Sequence, residues 1–157
     1  MKSIPTLLLA LFLQAACTTT PVSSTAPNTQ PESKPGAVVS ELAKTTQSWN
    51  GAKLPEYPKG QPKVTILRIK IPAGTQLDTH HHPVINAGVL LNGQLTVVAE
   101  DGQKLHLKAG DPIVELVNTA HYGINEGSTP AEIIVFYAGT DELPITVIEP
   151  KQDKRLQ

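Results

Sequence analysis

The sequence predicts an all-β fold, a single small sandwich or barrel, and two observations carry this prediction. From residue 63 onward, short segments rich in β-branched residues alternate between apolar and polar side chains, as half-buried strands do. Turn-forming dipeptides separate these segments, and no helical periodicity lies between them. Roughly 110 residues are available for folding, which suits one small domain.

The strand pattern begins at 64–71 and stops at Pro72-Ala73-Gly74. Asn92-Gly93 then predicts a hairpin with a type I′ turn, because this dipeptide tolerates the positive φ angles that such a turn needs. Asp101-Gly102 predicts a second hairpin. The remaining strands are expected at 84–91, 94–100, 103–108, 112–117 and 131–138, with an edge strand at 143–148. Residues 38–48 could form a short helix, although their apolar periodicity is weak.

The N-terminus predicts export from the cytoplasm. Lys2 precedes the short apolar run 7–13, which is too short to span a bilayer, so residues 1–16 are interpreted as a signal peptide. Cys17, the only cysteine in the chain, lies where cleavage is expected. This arrangement resembles the lipobox of bacterial lipoproteins, although Gln14 stands where that motif usually has leucine. Lipidation of Cys17 would anchor the chain in the cell envelope, facing the periplasm from the outer membrane; cleavage without lipidation would instead release a soluble secreted protein.

The segment that follows predicts a tether. Residues 17–36 contain almost no bulky apolar side chains and cannot bury enough surface to offset the entropy of ordering. We therefore divide the chain into this tether, an N-terminal extension at 37–62, a β-barrel domain at 63–149 and a tail at 150–157. The formal net charge is −1 and no basic patch is present, which disfavours nucleic acid as a partner.

The histidines carry the strongest functional signal. His80, His81 and His82 are consecutive in a chain that has five histidines, and His121 lies 39 residues after His82. On an extended segment, His80 and His82 point to the same side and His81 to the other. A third imidazole from a distant strand would complete a set of nitrogen ligands that Fe, Mn, Ni, Cu or Zn favours. The alternative is a small polar cluster without a metal.

Two motifs resemble those of the cupin family. The first reads Gly74-x5-His80-x-His82-x3-Asn86-x6-Gly93, with Asn86 where most metal-binding cupins have glutamate. The second reads Gly110-x5-Leu116-x-Asn118-x2-His121-x3-Asn125, with Leu116 and Asn118 in place of the usual proline and glycine. The resemblance covers residues 64–138 and implies a jelly-roll β-barrel that holds a divalent transition metal through His80, His82 and His121.

The exchange of glutamate for Asn86 leaves the fourth ligand open. Asn86 offers a neutral carbonyl oxygen as a weak fourth ligand, or no bond at all, so either a three-histidine site or a weakened site is expected. Asp78 and Glu115 are two carboxylates that could partly replace the missing one.

Three functions remain open at this stage, since the fold does not choose among them. The first is a metal-dependent enzyme acting on a small chelating molecule, either a dioxygenase-like oxidoreductase or an isomerase. The second is a non-catalytic domain that binds or senses a small ligand or the metal. The third is a structural cupin without a metal. The resemblance also implies a homodimer, because cupins commonly pair through edge strands.

Overall fold

The computed structural model describes residues 36–150, and within this range it contains strands but no helix. The predicted signal peptide, Cys17, almost all of the predicted tether and the tail from residue 151 lie outside the described residues. Residues 40–150 belong to one compact unit. Its nine strands are β1 (Pro62–Ile71), β2 (His80–His81), β3 (Ile85–Asn92), β4 (Gln94–Ala99), β5 (Lys104–Lys108), β6 (Pro112–Val114), β7 (His121–Ile124), β8 (Ala131–Thr140) and β9 (Val147–Ile148).

The strands form two antiparallel sheets, which confirms the predicted all-β jelly-roll architecture. One sheet has the order β1-β8-β3-β6 and the other the order β5-β4-β7-β2-β9. Strand β8 lies between β1 and β3 and pairs with β1 over ten residues, from Pro62 opposite Thr140 to Ile71 opposite Ala131. Except for β4 and β5, neighbouring strands in a sheet are distant in sequence, so the fold depends largely on non-local pairing.

The residues of strand β8 alternate between buried and more exposed side chains, the pattern expected of a strand. Ile133, Val135 and Tyr137 are buried, whereas Phe136, between the last two, is exposed. This alternation places every second side chain in a core between the sheets. The core includes Ile71, Val84, Leu90, Leu95, Val97, Leu107 and Ile113.

The predicted hairpin at Asn92-Gly93 is wrong. Strands β3 and β4 belong to different sheets, and the chain crosses from one sheet to the other at Gly93. Gly93 has a φ of +74°, but Asn92 does not have a positive φ, so the turn is not of type I′. A Cβ at Gly93 would lie 2.7 Å from the carbonyl oxygen of Pro130, which explains why glycine occupies this position. By contrast, Asp101-Gly102 does join a paired hairpin, β4–β5.

Other boundaries also differ from prediction. Residues 40–48 form no helix; Gln47 pairs instead with Lys53 in an isolated bridge. The strand expected at 112–117 ends at Val114, and the edge strand expected at 143–148 is reduced to Val147–Ile148. Within residues 36–150, no helix is long and apolar enough to cross a membrane.

Candidate metal centre

Strand pairing brings three histidines together. His80 on β2 lies directly opposite His121 on β7, so the two side chains share one face of the sheet. His82 lies two residues beyond His80 and pairs in an isolated bridge with Val117. The ring centroids of the three histidines are 4.7 to 5.1 Å apart, and one nitrogen from each ring lies within 4.8 Å of the others. The predicted set His80, His82 and His121 is therefore assembled in space.

Each ring in this cluster is held by the backbone. The Nδ1–H groups of His80, His82 and His121 donate to the carbonyl oxygens of Asp78 (2.8 Å), Ile145 (2.7 Å) and Thr119 (2.8 Å). Because a carbonyl oxygen can only accept, Nδ1 must carry the proton and Nε2 is left with a lone pair. Metal-ligating histidines are oriented in the same way, by a hydrogen bond from the nitrogen that does not bind the metal.

Burial keeps the imidazoles neutral. His82 and His121 are 4% and 2% exposed, and His80 is partly buried. Desolvation is the main cause that lowers the pKa of all three histidines, and it lowers the pKa of His82 to about 4. Neutral imidazoles can bind a metal, whereas protonated ones cannot. The described residues therefore fit a transition metal in their protonation state, their tautomer and their convergence.

His81 lies on the other side of its strand. Its Nδ1 is 2.5 Å from Oε1 of Glu149, outside the cluster, and it does not line the cavity that the other three histidines face. His106 is exposed and hydrogen-bonds Thr96. The alternation predicted for the histidine triplet is thus the one observed.

The three histidines face a cavity of about 350 Å³ between the two sheets. Its walls are largely aliphatic, and they include Leu67, Ile69, Leu77, Val97, Ile133 and Val135. The polar groups of the cavity are few and include the histidines, Asp78, Glu115, Tyr137 and Thr146. Such a cavity suits a small molecule with an apolar body and a polar end directed at the histidines.

The structure supports Glu115 as a residue of the site more strongly than the sequence did. Its residue is 8% exposed, and burial raises its pKa to about 7, with His80 acting in the opposite direction. Its Oε2 lies 3.6 Å from Nε2 of His121. Neither of these two atoms has a hydrogen-bond partner within the described part of the chain. The β-strand pattern at 112–117 placed Glu115 on a strand but could not show which strand would lie beside it.

Tyr137, on the strand expected at 131–138, also reaches the site. Its ring lies 5.4 Å from that of His82, and its side chain hydrogen-bonds Thr146. Burial and the charge of Glu115 raise its pKa to about 12, so the phenol stays protonated and can donate a hydrogen bond into the cavity.

Asn86 and Asp78, the two other candidate oxygen ligands, differ in their burial and in their position relative to the cavity. Asn86 is fully buried but does not line the cavity, and its Nδ2 donates to the carbonyl oxygen of Val84 at 3.3 Å. Asp78 is an exposed residue at the cavity wall. Asn86 as a weak fourth ligand stays a prediction.

The second motif is explained by local structure. Asn118, at the position usually taken by glycine, has a φ of +54°, the left-handed region that asparagine tolerates better than most residues. Its N–H donates to the carbonyl oxygen of His82 at 2.9 Å, so this turn supports a histidine of the cluster. Asn125 is fully buried, and its side chain ties residues 71–72 to the turn at residues 127–129.

Comparison with known proteins gives a consistent fold. Residues 67–137 match the family described as cupin domain. An uncharacterized conserved protein with a double-stranded β-helix domain from Klebsiella pneumoniae superposes with a TM-score of 0.50 and 18% identity, over 63% of this chain and 83% of that chain. No curated protein matches the chain.

Two solved oxalate enzymes are also similar in fold. Oxalate oxidase in complex with glycolate gives 22% identity and a TM-score of 0.47, over 54% of this chain and 45% of that chain. Oxalate decarboxylase from Lactobacillus farciminis gives 18% identity and a TM-score of 0.48, over 54% of this chain and 26% of that chain. This chain thus spans less than half of either enzyme, and the likeness concerns the fold alone. The family match identifies residues 67–137 as a cupin domain, and the jelly-roll topology and the two motifs agree with this assignment.

Proposed function

We propose that this cupin binds one divalent transition metal through His80, His82 and His121. The observation that carries the proposal is the set of three backbone carbonyls, one for each ring, that fixes the proton on Nδ1 and leaves three Nε2 lone pairs converging. A polar cluster without a metal would be expected to use these ring nitrogens in hydrogen bonds to one another or to neighbouring side chains. Nε2 of His121 is buried without such a partner among residues 36–150.

The cavity extends the proposal to a small-molecule substrate, and the reaction we favour is dioxygenase-like. A bound metal would supply Lewis-acid activation or redox chemistry. The aliphatic walls of the cavity would exclude water and hold the apolar body of the substrate, while the Tyr137 hydroxyl would donate a hydrogen bond to its polar end. The alternative is a non-catalytic domain that binds or senses a ligand, which the neutral side chain at Asn86 supports.

Metal affinity of single-site variants tests the histidine site. We expect His80→Ala and His121→Ala each to weaken zinc binding by at least about 100-fold in a competition titration with a chromogenic chelator, since each removes a ligand. His81→Ala is the matched control, because its side chain bonds Glu149 outside the cluster, and it should stay within about threefold of the wild type. Equal losses in all three variants would contradict this site.

Oxygen consumption separates the enzyme from the binder. The metal-loaded protein is mixed with catechols, flavonols and acireductone-like diols, with His82→Ala as the inactive control. Consumption that depends on His82 supports the oxidoreductase, whereas ligand binding without consumption supports the non-catalytic domain.

We also propose that Cys17 anchors the chain to the bacterial envelope. The support is its position after a short apolar segment and the polar, proline-containing composition of the residues that follow. Labelling of cells with an alkyne fatty acid should mark the wild type and not Cys17→Ser. A soluble, unlabelled wild type would contradict the anchor.

Homodimer formation stays a prediction of the family resemblance. Size-exclusion chromatography with light scattering measures it directly, and a mass of one chain at all concentrations would contradict it.

A further inference from the structure

Position 86 has asparagine where the first motif has an acidic residue. The buried amide of Asn86 is not fully hydrogen-bonded within the described residues. Asn86 is 0% exposed, and its Oδ1 has no hydrogen-bond partner in the described range 36–150. Its only hydrogen bond from the side chain within this range is the 3.3 Å bond to Val84, two residues away on the same strand. A buried polar atom without a partner costs about 1–3 kcal/mol, so this position is not optimised for stability.

Glu115, the first residue after β6, lies beside Asn86 on the neighbouring strand β3. In the β3–β6 pair, Ala87 is opposite Val114, and the N–H of Glu115 donates to the carbonyl oxygen of Asn86 at 3.1 Å. The pairing therefore brings a carboxylate within one strand spacing of the position where the motif has lost one.

The carboxylate of Glu115 points at the histidine cluster. The side chain lines the same cavity as His80, His82 and His121, and its Oε2 lies 3.6 Å from Nε2 of His121. Nε2 of His121 carries a lone pair, because its Nδ1 donates to Thr119. Two acceptor atoms face each other at this distance, which is unfavourable unless a cation or a proton lies between them.

The distance fits a shared metal. Two ligand atoms about 2.1 Å from one metal lie about 3.0–3.4 Å apart at angles between octahedral and tetrahedral. The observed 3.6 Å is only slightly larger. A small closure of the two side chains would therefore bring both atoms into one coordination sphere.

The backbone of Glu115 is fixed from the opposite side as well. The Ser48 hydroxyl donates to the carbonyl oxygen of Glu115 at 2.8 Å, and the N–H of Trp49 donates to the carbonyl oxygen of Val114 at 2.9 Å. Ser48 is 5% exposed, so this contact is buried. The N-terminal extension thus clamps the end of β6 and holds Glu115 against the cavity.

We propose that Glu115 is the fourth protein ligand of the metal, supplying from the end of β6 the carboxylate that the first motif lacks at Asn86. This inference rests on the proposed metal site and assigns it a ligand. One anionic ligand lowers the charge of the bound divalent metal and holds it more tightly than three imidazoles alone.

Metal affinity tests the assignment without reference to activity. We compare zinc binding by the wild type, Glu115→Gln, Asn86→Ala and Glu126→Gln in a chelator competition titration. Glu126 is the control, since it is an exposed glutamate that accepts a hydrogen bond from Thr96 and does not line the cavity. Glu115→Gln should weaken binding by at least about 100-fold, and the two other variants should stay within about threefold.

The outcomes separate the two proposals. Wild-type affinity in a folded Glu115→Gln protein overturns the role of Glu115 and leaves the histidine site intact. Absence of zinc binding by the wild type overturns both.

A crystal structure of the zinc-loaded wild type gives a second test that does not depend on the folding of a variant. A carboxylate oxygen of Glu115 within about 2.2 Å of the metal supports the assignment. A distance beyond about 3.5 Å, or the Asn86 side chain in that place, overturns it.

Discussion

Asn86 and Asn125 are both fully buried, one in each motif, yet their surroundings differ. Asn125 donates to the carbonyl oxygens of Ile71, Pro72 and Thr129, and its Oδ1 accepts from Gly127. Asn86 makes one long hydrogen bond and leaves its Oδ1 without a partner in the part of the chain that the structure describes. A buried polar side chain with all its hydrogen bonds formed stabilises the fold. A buried polar side chain that lacks a hydrogen-bond partner does not, so its presence needs an explanation other than stability.

The largest expected effect on stability is at Asn125. Asn125→Ala removes four hydrogen bonds and leaves buried backbone groups unpaired, so we expect the free energy of unfolding to fall by at least about 3 kcal/mol. Asn86→Leu replaces a poorly bonded amide by an apolar group of similar size and should stay within about 1 kcal/mol of the wild type. Urea unfolding of the metal-free proteins measures both; similar losses would remove the distinction between the two asparagines.

The second effect concerns the ligand. A saturating concentration of zinc, about 100 times the Kd, should stabilise the wild type by about 2.7 kcal/mol, which corresponds to a rise in Tm of about 10 °C or more. Asn86→Leu should keep this rise, because the proposed metal site does not require its side chain. His82→Ala should lose it. Thermal unfolding with and without zinc decides, and loss of the rise in Asn86→Leu would make Asn86 part of the site.

The third effect is the pH dependence of the metal-free protein. The pKa of His82 is lowered to about 4, so the stability that its neutral form contributes is present above pH 6.5. About 3 kcal/mol of the free energy of unfolding is lost as the pH falls toward 4. The pKa of Glu115 is raised to about 7, so its contribution has the opposite sign: it is present below pH 4.5 and is lost as the pH rises through 7.

Removing Glu115 should therefore expose the titration of the histidines. Between pH 7 and pH 4, metal-free Glu115→Gln should lose about 3 kcal/mol more stability than the wild type, because the opposing contribution is gone. Urea unfolding of both proteins at about pH 7.0, 5.5 and 4.0 measures this difference in stability. These pH values lie roughly one to two units apart and bracket the titration of histidine. Parallel curves for the two proteins would contradict the pKa assigned to Glu115.

The smallest effect is at the turn beside His82. Asn118→Ala should cost about 1 kcal/mol, since alanine tolerates a φ of +54° less well than asparagine. Asn118→Gly should be within a few tenths of a kcal/mol of the wild type. Thermal unfolding of the metal-free variants measures the difference, and equal Tm values for the alanine and glycine variants would show that backbone strain is not the cause.

The period of the strands and the spacing of the histidines were sufficient to predict the fold class and the cluster. His80 and His82 share a face because side chains alternate, a local rule that needs no knowledge of other strands. The hairpin at Asn92-Gly93 was predicted wrongly because turn chemistry describes the bend and not the sheet in which the next strand pairs. The helix at 38–48 was predicted from weak periodicity, and the chain there instead contributes Ser48 and Trp49 to contacts with β6.

The sequence named Glu115 and Asp78 as two candidate carboxylates and could not choose between them. The proximity of Glu115 to His121 results from the pairing of β6 with β3, a non-local contact that no spacing rule encodes. Tyr137 lies on the strand predicted at 131–138, but its contact with the cavity depends on the packing of the two sheets, which the sequence pattern does not give.

Elemental analysis of untagged wild-type protein tests the metal site most directly. The protein is stripped with a chelator, reconstituted separately with Fe, Mn, Ni, Cu and Zn, and desalted. We expect about one equivalent of at least one metal per chain, and none in His80→Ala. Less than about 0.1 equivalent of every metal in the folded wild type would contradict it.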